Sequence, residues 1–224
     1  MIALDKPKGT TADRILDVAE AMFAEHGYKA VSLRSILREC GANIAAAHYH
    51  FGSKQQLLEA IFVRRCAEMN GERLRLLAAC KDEPGRPPIV EQILAAFLRP
   101  ALVWPDDDSG TRRFMRLRAG VAYEREELAR NLIAQHFNQT SRRFIDALAR
   151  VLPQIGPEEL HFRFHFLLGA QYYTLLNPDR IYDLSGGVCD PADADKALRH
   201  MVCTFAAALR APACVPTPSK ETVA

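Results

Sequence analysis

The sequence predicts an all-α protein of about nine helices. Apolar residues recur at spacings of three and four along almost the whole chain, the period of helices with one buried face. Period-two alternation, the mark of half-buried strands, is nearly absent, and β-branched clusters are few. The breaks between periodic stretches carry Gly, Pro or runs of acids.

The first helix is expected over 11–26, with Ile15, Ala19, Met22 and Phe23 as its apolar stripe. Thr11 is its expected N-cap and Gly27 its stop. A second, short helix begins at Ser32, turns Leu33, Ile36 and Leu37 inward and stops near Gly41. A third covers 44–50 and is broken by Phe51 and Gly52. Ser53 opens a long helix with Gln56 at the capping-box position, and Leu57, Leu58, Ile61 and Phe62 carry it towards Leu77. The stretch K-D-E-P-G-R-P-P at 81–88 is a connector. Five more helices follow near 89–104, 111–123, 126–152, 157–177 and 191–210, with loops at 105–110 and 178–191. The tail from 212 contains Pro212, Pro216 and Pro218 and is expected to fray.

The helix at 157–177 is apolar in almost every direction around its axis, so it must be buried all round. One face would meet the core and the other a second subunit. The last helix carries a cleaner stripe. Together they predict a homodimer interface of Phe164, Leu168, Tyr172, Leu198, Met201, Val202, Phe205 and Leu209. The alternative is a central core helix in a monomer.

Composition narrows the function classes. The chain has 224 residues, 49% of them hydrophobic and 25% charged, which excludes collagen-like, low-complexity and wholly disordered chains. Lys and Arg number 29 against 27 acids, and the net charge of +2 argues against a protein that coats polyanions. A local basic surface stays open. No run of about 18 apolar residues predicts a membrane span, and no apolar segment follows Lys6 and Lys8 to make a secretory signal. The six cysteines are scattered without a C-x-x-C pair, as expected for reduced thiols in a cytoplasmic protein. Gly-rich phosphate loops, G-x-S-x-G, H-E-x-x-H and paired carboxylates are missing, so neither an enzyme nor a cofactor is expected.

Residues 32–54 carry the most information: S-L-R-S-I-L-R-E-C-G-A-N-I-A-A-A-H-Y-H-F-G-S-K. Two short helices flank a Gly-containing turn, the helix-turn-helix pattern. Ala45, Ala46 and Ala47 leave one side small enough for close approach to a groove floor. The hydroxyls of Ser32 and Tyr49, the imidazoles of His48 and His50, and the ammonium of Lys54 suit phosphate oxygens. Lys54 lies in a first helical turn, where backbone N–H groups add positive charge. Residues 1–66 hold nine Lys and Arg against seven acids, so this surface must be polarised, with Asp13, Asp17, Glu20 and Glu25 facing away from a duplex.

The runs Y-H-F-G-S-K-Q-Q-L (49–57) and A-E-A-M-F-A-E-H-G-Y (19–28), with the hydroxyl at Ser32, resemble the signature of the TetR family of transcriptional regulators over about residues 11–62. That resemblance implies an all-helical homodimer with a helix-turn-helix DNA-binding unit at 1–52, a ligand-binding and dimerisation unit at 53–211 and a tail at 212–224. It implies a repressor released from a palindromic double-stranded operator by a hydrophobic small molecule. Ser32 and Arg34 match positions that contact phosphates. Asn43, Ile44, Ala45 and Ala46 match the base-reading tip. His48 stands where the family often has Tyr, and Tyr49 and Lys54 match phosphate contacts. The segment 44–47 offers few hydrogen-bonding groups, so direct readout rests on Asn43, Arg34 and thymine methyl contacts, with DNA shape supplying the remainder. The stretches F-M-R-L and F-R-F-H-F-L-L-G-A resemble members that respond to long-chain fatty acids or their CoA esters. The expected ligand-binding residues are Phe97, Phe114, Met115, Arg118, Phe137, Phe166 and Tyr173, with Arg118 either clamping a ligand anion or pairing with Glu124, Glu126 or Glu127.

Other clusters read blandly. His161 and His165 have metal-capable spacing but no obvious third ligand except a distant His136, so no metal is expected. The acidic run 106–108 lacks the spacing and distal Glu of a calcium loop. Two alternatives stay open: an all-helical carrier or enzyme without DNA binding, and a redox or metal sensor on the same fold.

Overall fold

The computed structural model describes residues 10–43, 51–80, 89–103, 109–123 and 127–213. Among the described residues the chain forms nine helices and no strand: α1 (Thr11–His26), α2 (Leu33–Cys40), α3 (Lys54–Ala79), α4 (Val90–Leu102), α5 (Ser109–Tyr123), α6 (Glu127–Val151), α7 (Pro157–Leu176), α8 (Asp179–Ser185) and α9 (Ala194–Arg210). The expected all-α class holds. The expected third helix at 44–50, the connector at 81–88, the acidic run 106–108 and the tail from 214 lie outside the described residues.

Local chemistry explains the helix ends. The N-cap of α1 is Thr10 rather than Thr11. The Thr10 hydroxyl accepts from the Asp13 amide at 3.2 Å, and the Asp13 carboxylate accepts from the Thr10 amide at 2.9 Å. An acid stands three residues after Thr10, whereas Arg14 follows Thr11 at that spacing, so only Thr10 closes a capping box. Gly27 stops α1 at φ +83°, where a side chain would be strained. Ser32 caps α2, and Gly41 ends it in the left-handed region at φ +63°. The Ser53 hydroxyl caps α3 by accepting from the Gln56 amide at 3.1 Å.

Packing joins the helices other than α8 around one apolar core. α1 packs on α2, α3 and α5; α3 continues against α4 and α6; α9 covers α4 and touches α7. The core runs from Ile15 and Phe23 through Ile61 and Phe62 to Phe97, Phe114 and Phe144. Arg163 of α7 pairs with Glu159 and donates to the carbonyls of Ala208 (2.8 Å) and Leu209 (2.9 Å). It thereby satisfies acceptors that the end of α9 leaves open.

Two expectations need correction here. α7 is not buried all round: Leu160, Phe164, Leu167, Gln171 and Leu175 face inward, while Phe162, Phe166 and Tyr173 are 55%, 60% and 51% exposed. The loop expected over 178–191 contains α8, a seven-residue helix without a buried residue and so without an apolar stripe to reveal it. Smaller shifts start α5 at Ser109 instead of 111 and α9 at Ala194 instead of 191, where the Asp193 side chain caps it.

Candidate nucleic-acid interface and effector site

The N-terminal end presents part of the expected DNA-facing set. Ser32, Arg34 and Asn43 are exposed around α2 and the turn after it. Ile44, Ala45, Ala46, His48 and Tyr49 lie outside the described residues. Gly41 builds the turn after α2, with the Ala42 amide donating to the Leu37 carbonyl at 3.0 Å. The Ser32 hydroxyl accepts from the Ser35 amide at 3.0 Å, so it already has structural work as the cap of α2. Ser32→Ala is therefore expected to cost about 1 kcal/mol in urea unfolding, beyond any effect on binding. Lys54 is half-buried. Its ammonium sits 4.2 Å from the centre of the Tyr28 ring and donates to the Lys29 carbonyl at 3.4 Å. Tyr28 in turn meets Phe23 edge-on at 5.3 Å. This cation–π seat orients Lys54 from the α1 side, a link that the one-dimensional motif did not disclose.

One acid of α1 is buried. Glu20 is 1% exposed and accepts from Arg64 at 2.8 Å and Arg65 at 3.0 Å, both on α3. Asp17 adds a second contact to Arg64 at 2.8 Å. Burial disfavours the Arg64 charge, yet Glu20 and Asp17 more than offset it and its pKa is raised. Arg65 also underlies Gly110 at the start of α5, so closely that a β-carbon there would strike its guanidinium. The cluster joins α1, α3 and α5 at one point.

Burial separates the expected ligand residues into two sets. Phe97, Phe114, Met115, Arg118 and Phe137 are buried together. Phe62 meets Phe114 and Phe137 edge-on, and Phe97 meets Phe144 and Phe164. Phe166 and Tyr173 do not join them. They stand on the outward face of α7, because the buried stripe of that helix follows 160, 164, 167, 171 and 175. The Arg118 guanidinium lies 4.0 Å from the Phe137 ring centre and donates to the Tyr172 hydroxyl at 3.1 Å. Glu124 and Glu126 are outside the described residues.

Sequence reasoning missed Arg73, which is as buried as Arg118 at 1% exposed. The signal was present: Arg73 continues the α3 stripe of Leu58, Phe62, Cys66 and Met69 at helical spacing. Burial, then the nearby Arg118 charge, hold the Arg73 pKa well below its ordinary value. Burial likewise pushes the Cys66 thiol up to about 12, which makes it inert.

The expected dimer residues also divide. Phe164, Leu198 and Leu209 are buried within the single chain, with Phe164 5.0 Å from Phe97 ring to ring, so their side chains belong to its own core. Leu168, Tyr172, Met201, Val202 and Phe205 are half-buried. An open groove of about 660 Å³ between α6 and α7 is lined by Ser141, Arg142, Ile145, His161, Phe162 and His165, on the same side as exposed Phe166. No group of three metal-ligating side chains occurs among the described residues.

Comparison with known proteins agrees with this architecture. Residues 15–61 match the family described as bacterial regulatory proteins, tetR family, and residues 95–208 match the tetracyclin repressor-like C-terminal domain. The HTH-type transcriptional regulator UidR of Escherichia coli K12 is 33% identical over 54 residues, 24% of this chain and 28% of that protein. The HTH-type transcriptional regulator BetI of Agrobacterium fabrum is 46% identical over 44 residues, 20% of this chain and 21% of its own length. These matches thus span between a fifth and a third of the relatives' lengths. Among solved structures, the fatty acid degradation regulator FadR from Bacillus halodurans superposes with a TM-score of 0.63 at 16% identity, over 92% of this chain and 99% of that one. A complex of SmeT with triclosan superposes with a TM-score of 0.58 at 22% identity, over 94% and 99%.

Proposed function

The chain belongs to the TetR family of bacterial regulatory proteins, and from that premise we propose that it is a homodimeric repressor released from a palindromic operator by a hydrophobic small molecule. The observation that carries this reading is the pair of capped helices α2 and α3, with Ser32, Arg34 and Asn43 exposed before residues 44–50 in the sequence and Lys54 seated on Tyr28 after them. The DNA-binding unit is 1–52, with Asn43, Ile44, Ala45 and Ala46 at the bases and Ser32, Arg34, His48, Tyr49 and Lys54 on phosphates. The effector unit is 53–211. The buried set of Phe97, Phe114, Met115, Phe137 and Arg118 supports an apolar effector, and a long-chain fatty acid or its CoA ester fits that chemistry. The protein acts by binding rather than catalysis, in the cytoplasm.

The geometry suggests how one event would reach the other. An effector that displaces α5 would move Gly110 against Arg65, which with Arg64 holds Glu20 of α1. The helix pair α1–α5 would then turn with α3, and the spacing of the two recognition segments in the dimer would change. The effector shifts this equilibrium only by its difference in affinity for the two states.

The subunit contact of this reading is the outward face of α7. Phe162, Phe166, Gly169 and Tyr173 fall at spacings of four, three and four, the seam of a helix pair, and the three aromatics are exposed in the single chain. Phe166→Glu is expected to convert a dimer to a monomer in light scattering and to abolish tight operator binding. A variant that stays dimeric would move the interface elsewhere. Selection of genomic fragments on the purified protein tests the operator: enrichment of one inverted repeat supports the reading, and recovery of random fragments counts against it.

A further inference from the structure

Two buried cations, Arg73 and Arg118, pair with no acid among the described residues. Arg73 of α3 donates Nε to the Phe97 carbonyl at 2.9 Å and lies 4.1 Å from that ring's centre, and its Nη2 has no partner. Arg118 of α5 spends Nη2 on the Tyr172 hydroxyl, and its Nε and Nη1 have none. Among the described residues no carboxylate pairs with either, and the one buried carboxylate, Glu20, is held by Arg64 and Arg65. Gln171 is 0% exposed with neither amide atom partnered, and the Asn70 carbonyl oxygen is also unpartnered. Cys66, Asn70 and Arg73 share one face of α3 at spacings of four and three. Both guanidiniums oppose the burial that raises the Cys66 thiol pKa.

An unpaired buried charge is among the costliest features a fold carries. Aromatic faces offset part of that cost for each guanidinium, but they leave three N–H-bearing nitrogens unsatisfied. Such a group persists where a ligand completes it. We propose that Arg73 and Arg118 form an anion-binding site that takes the oxyanion head group of an otherwise apolar effector, with Gln171 and Asn70 as further polar contacts. The planar guanidinium fork matches two oxygens of a carboxylate or phosphate, and the Phe97 and Phe137 rings beside the two guanidiniums suit an apolar body. The proposal rests on the effector reading for its consequence but not for its chemistry.

The test titrates the full-length protein with decanoate, decyl phosphate, decanol and inorganic phosphate, by calorimetry and thermal unfolding, in wild type, Arg73→Met and Arg118→Met. A decyl oxyanion is expected to saturate one site per chain and raise the unfolding midpoint, with decanol at least tenfold weaker. The tighter of the two oxyanions identifies the head group. Each Met variant is expected to lose roughly tenfold to a hundredfold in oxyanion affinity, to keep its weak decanol affinity, and to unfold at the same temperature as ligand-free wild type or higher. Decanol binding as tightly as the oxyanions, Met variants of undiminished affinity, or no oxyanion binding at all would overturn the proposal. So would saturation by inorganic phosphate with nothing gained from the alkyl chain. If the Met variants fold poorly, Arg118→Lys keeps the charge without the fork and must still lose oxyanion affinity. Operator binding is measured in the same samples: an oxyanion that binds without weakening the DNA complex contradicts the effector reading and leaves the site standing.

Discussion

Phe62→Ala is expected to lower the unfolding free energy by about 3–5 kcal/mol, the range for truncating a fully buried aromatic ring. Phe62 is wholly buried on α3 and meets Phe114 of α5 at 5.4 Å and Phe137 of α6 at 6.4 Å, both edge-on. One ring thus supports three helices, and none of its neighbours can collapse into the space without giving up its own contacts. Adjacent Val63 is exposed and provides the control, with an expected change within about 0.5 kcal/mol for Val63→Ala. Urea unfolding monitored by circular dichroism measures both. A loss for Phe62→Ala below about 1 kcal/mol would mean that α3 is not packed as described.

Glu20→Ala is expected to cost about 3 kcal/mol, the lower end for removing one partner of a buried ion pair. The lower end applies because the side chains of Arg64 and Arg65 keep 28% and 20% exposure and can partly rehydrate. Glu20→Gln keeps the shape and an acceptor, so its cost should be smaller. The combination with Arg64→Met should be less than additive, since the orphaned cation is then gone. In the regulator reading the Gln variant should still bind the operator but respond less to effector, because the α1–α3–α5 junction has lost its charge clasp. Full additivity of the double variant would show that the two residues do not share one network.

Most of the helical architecture was legible because each long helix pairs a 3.6-residue stripe with a local stop. The bounds of α1 followed from Gly27, and only the choice between Thr10 and Thr11 required the acid three residues on. α8 was illegible for a physical reason: a helix that buries nothing leaves no periodic trace. α7 was legible as apolar but not as oriented. Phe162, Phe164 and Phe166 look alike in sequence, and only packing against Phe97 sends Phe164 inward. The same limit governs the site. Arg118 drew attention by bordering a stripe, whereas Arg73 and Gln171 lie on buried stripes and could have been marked by that alone. That no acid among the described residues pairs with Arg73 or Arg118 is a tertiary fact, as is the burial of Glu20 beneath two arginines of another helix.

The central claim, sequence-specific DNA binding through the 32–54 segment, is tested most directly by fluorescence anisotropy on the selected inverted repeat at several salt concentrations. Wild type is compared with a Tyr49→Phe/Lys54→Ala double variant. The account predicts tight binding that weakens steeply with salt, and a shallower salt slope in the variant because fewer phosphates are neutralised. Binding no tighter than to random DNA, or a slope unchanged in the variant, would contradict it.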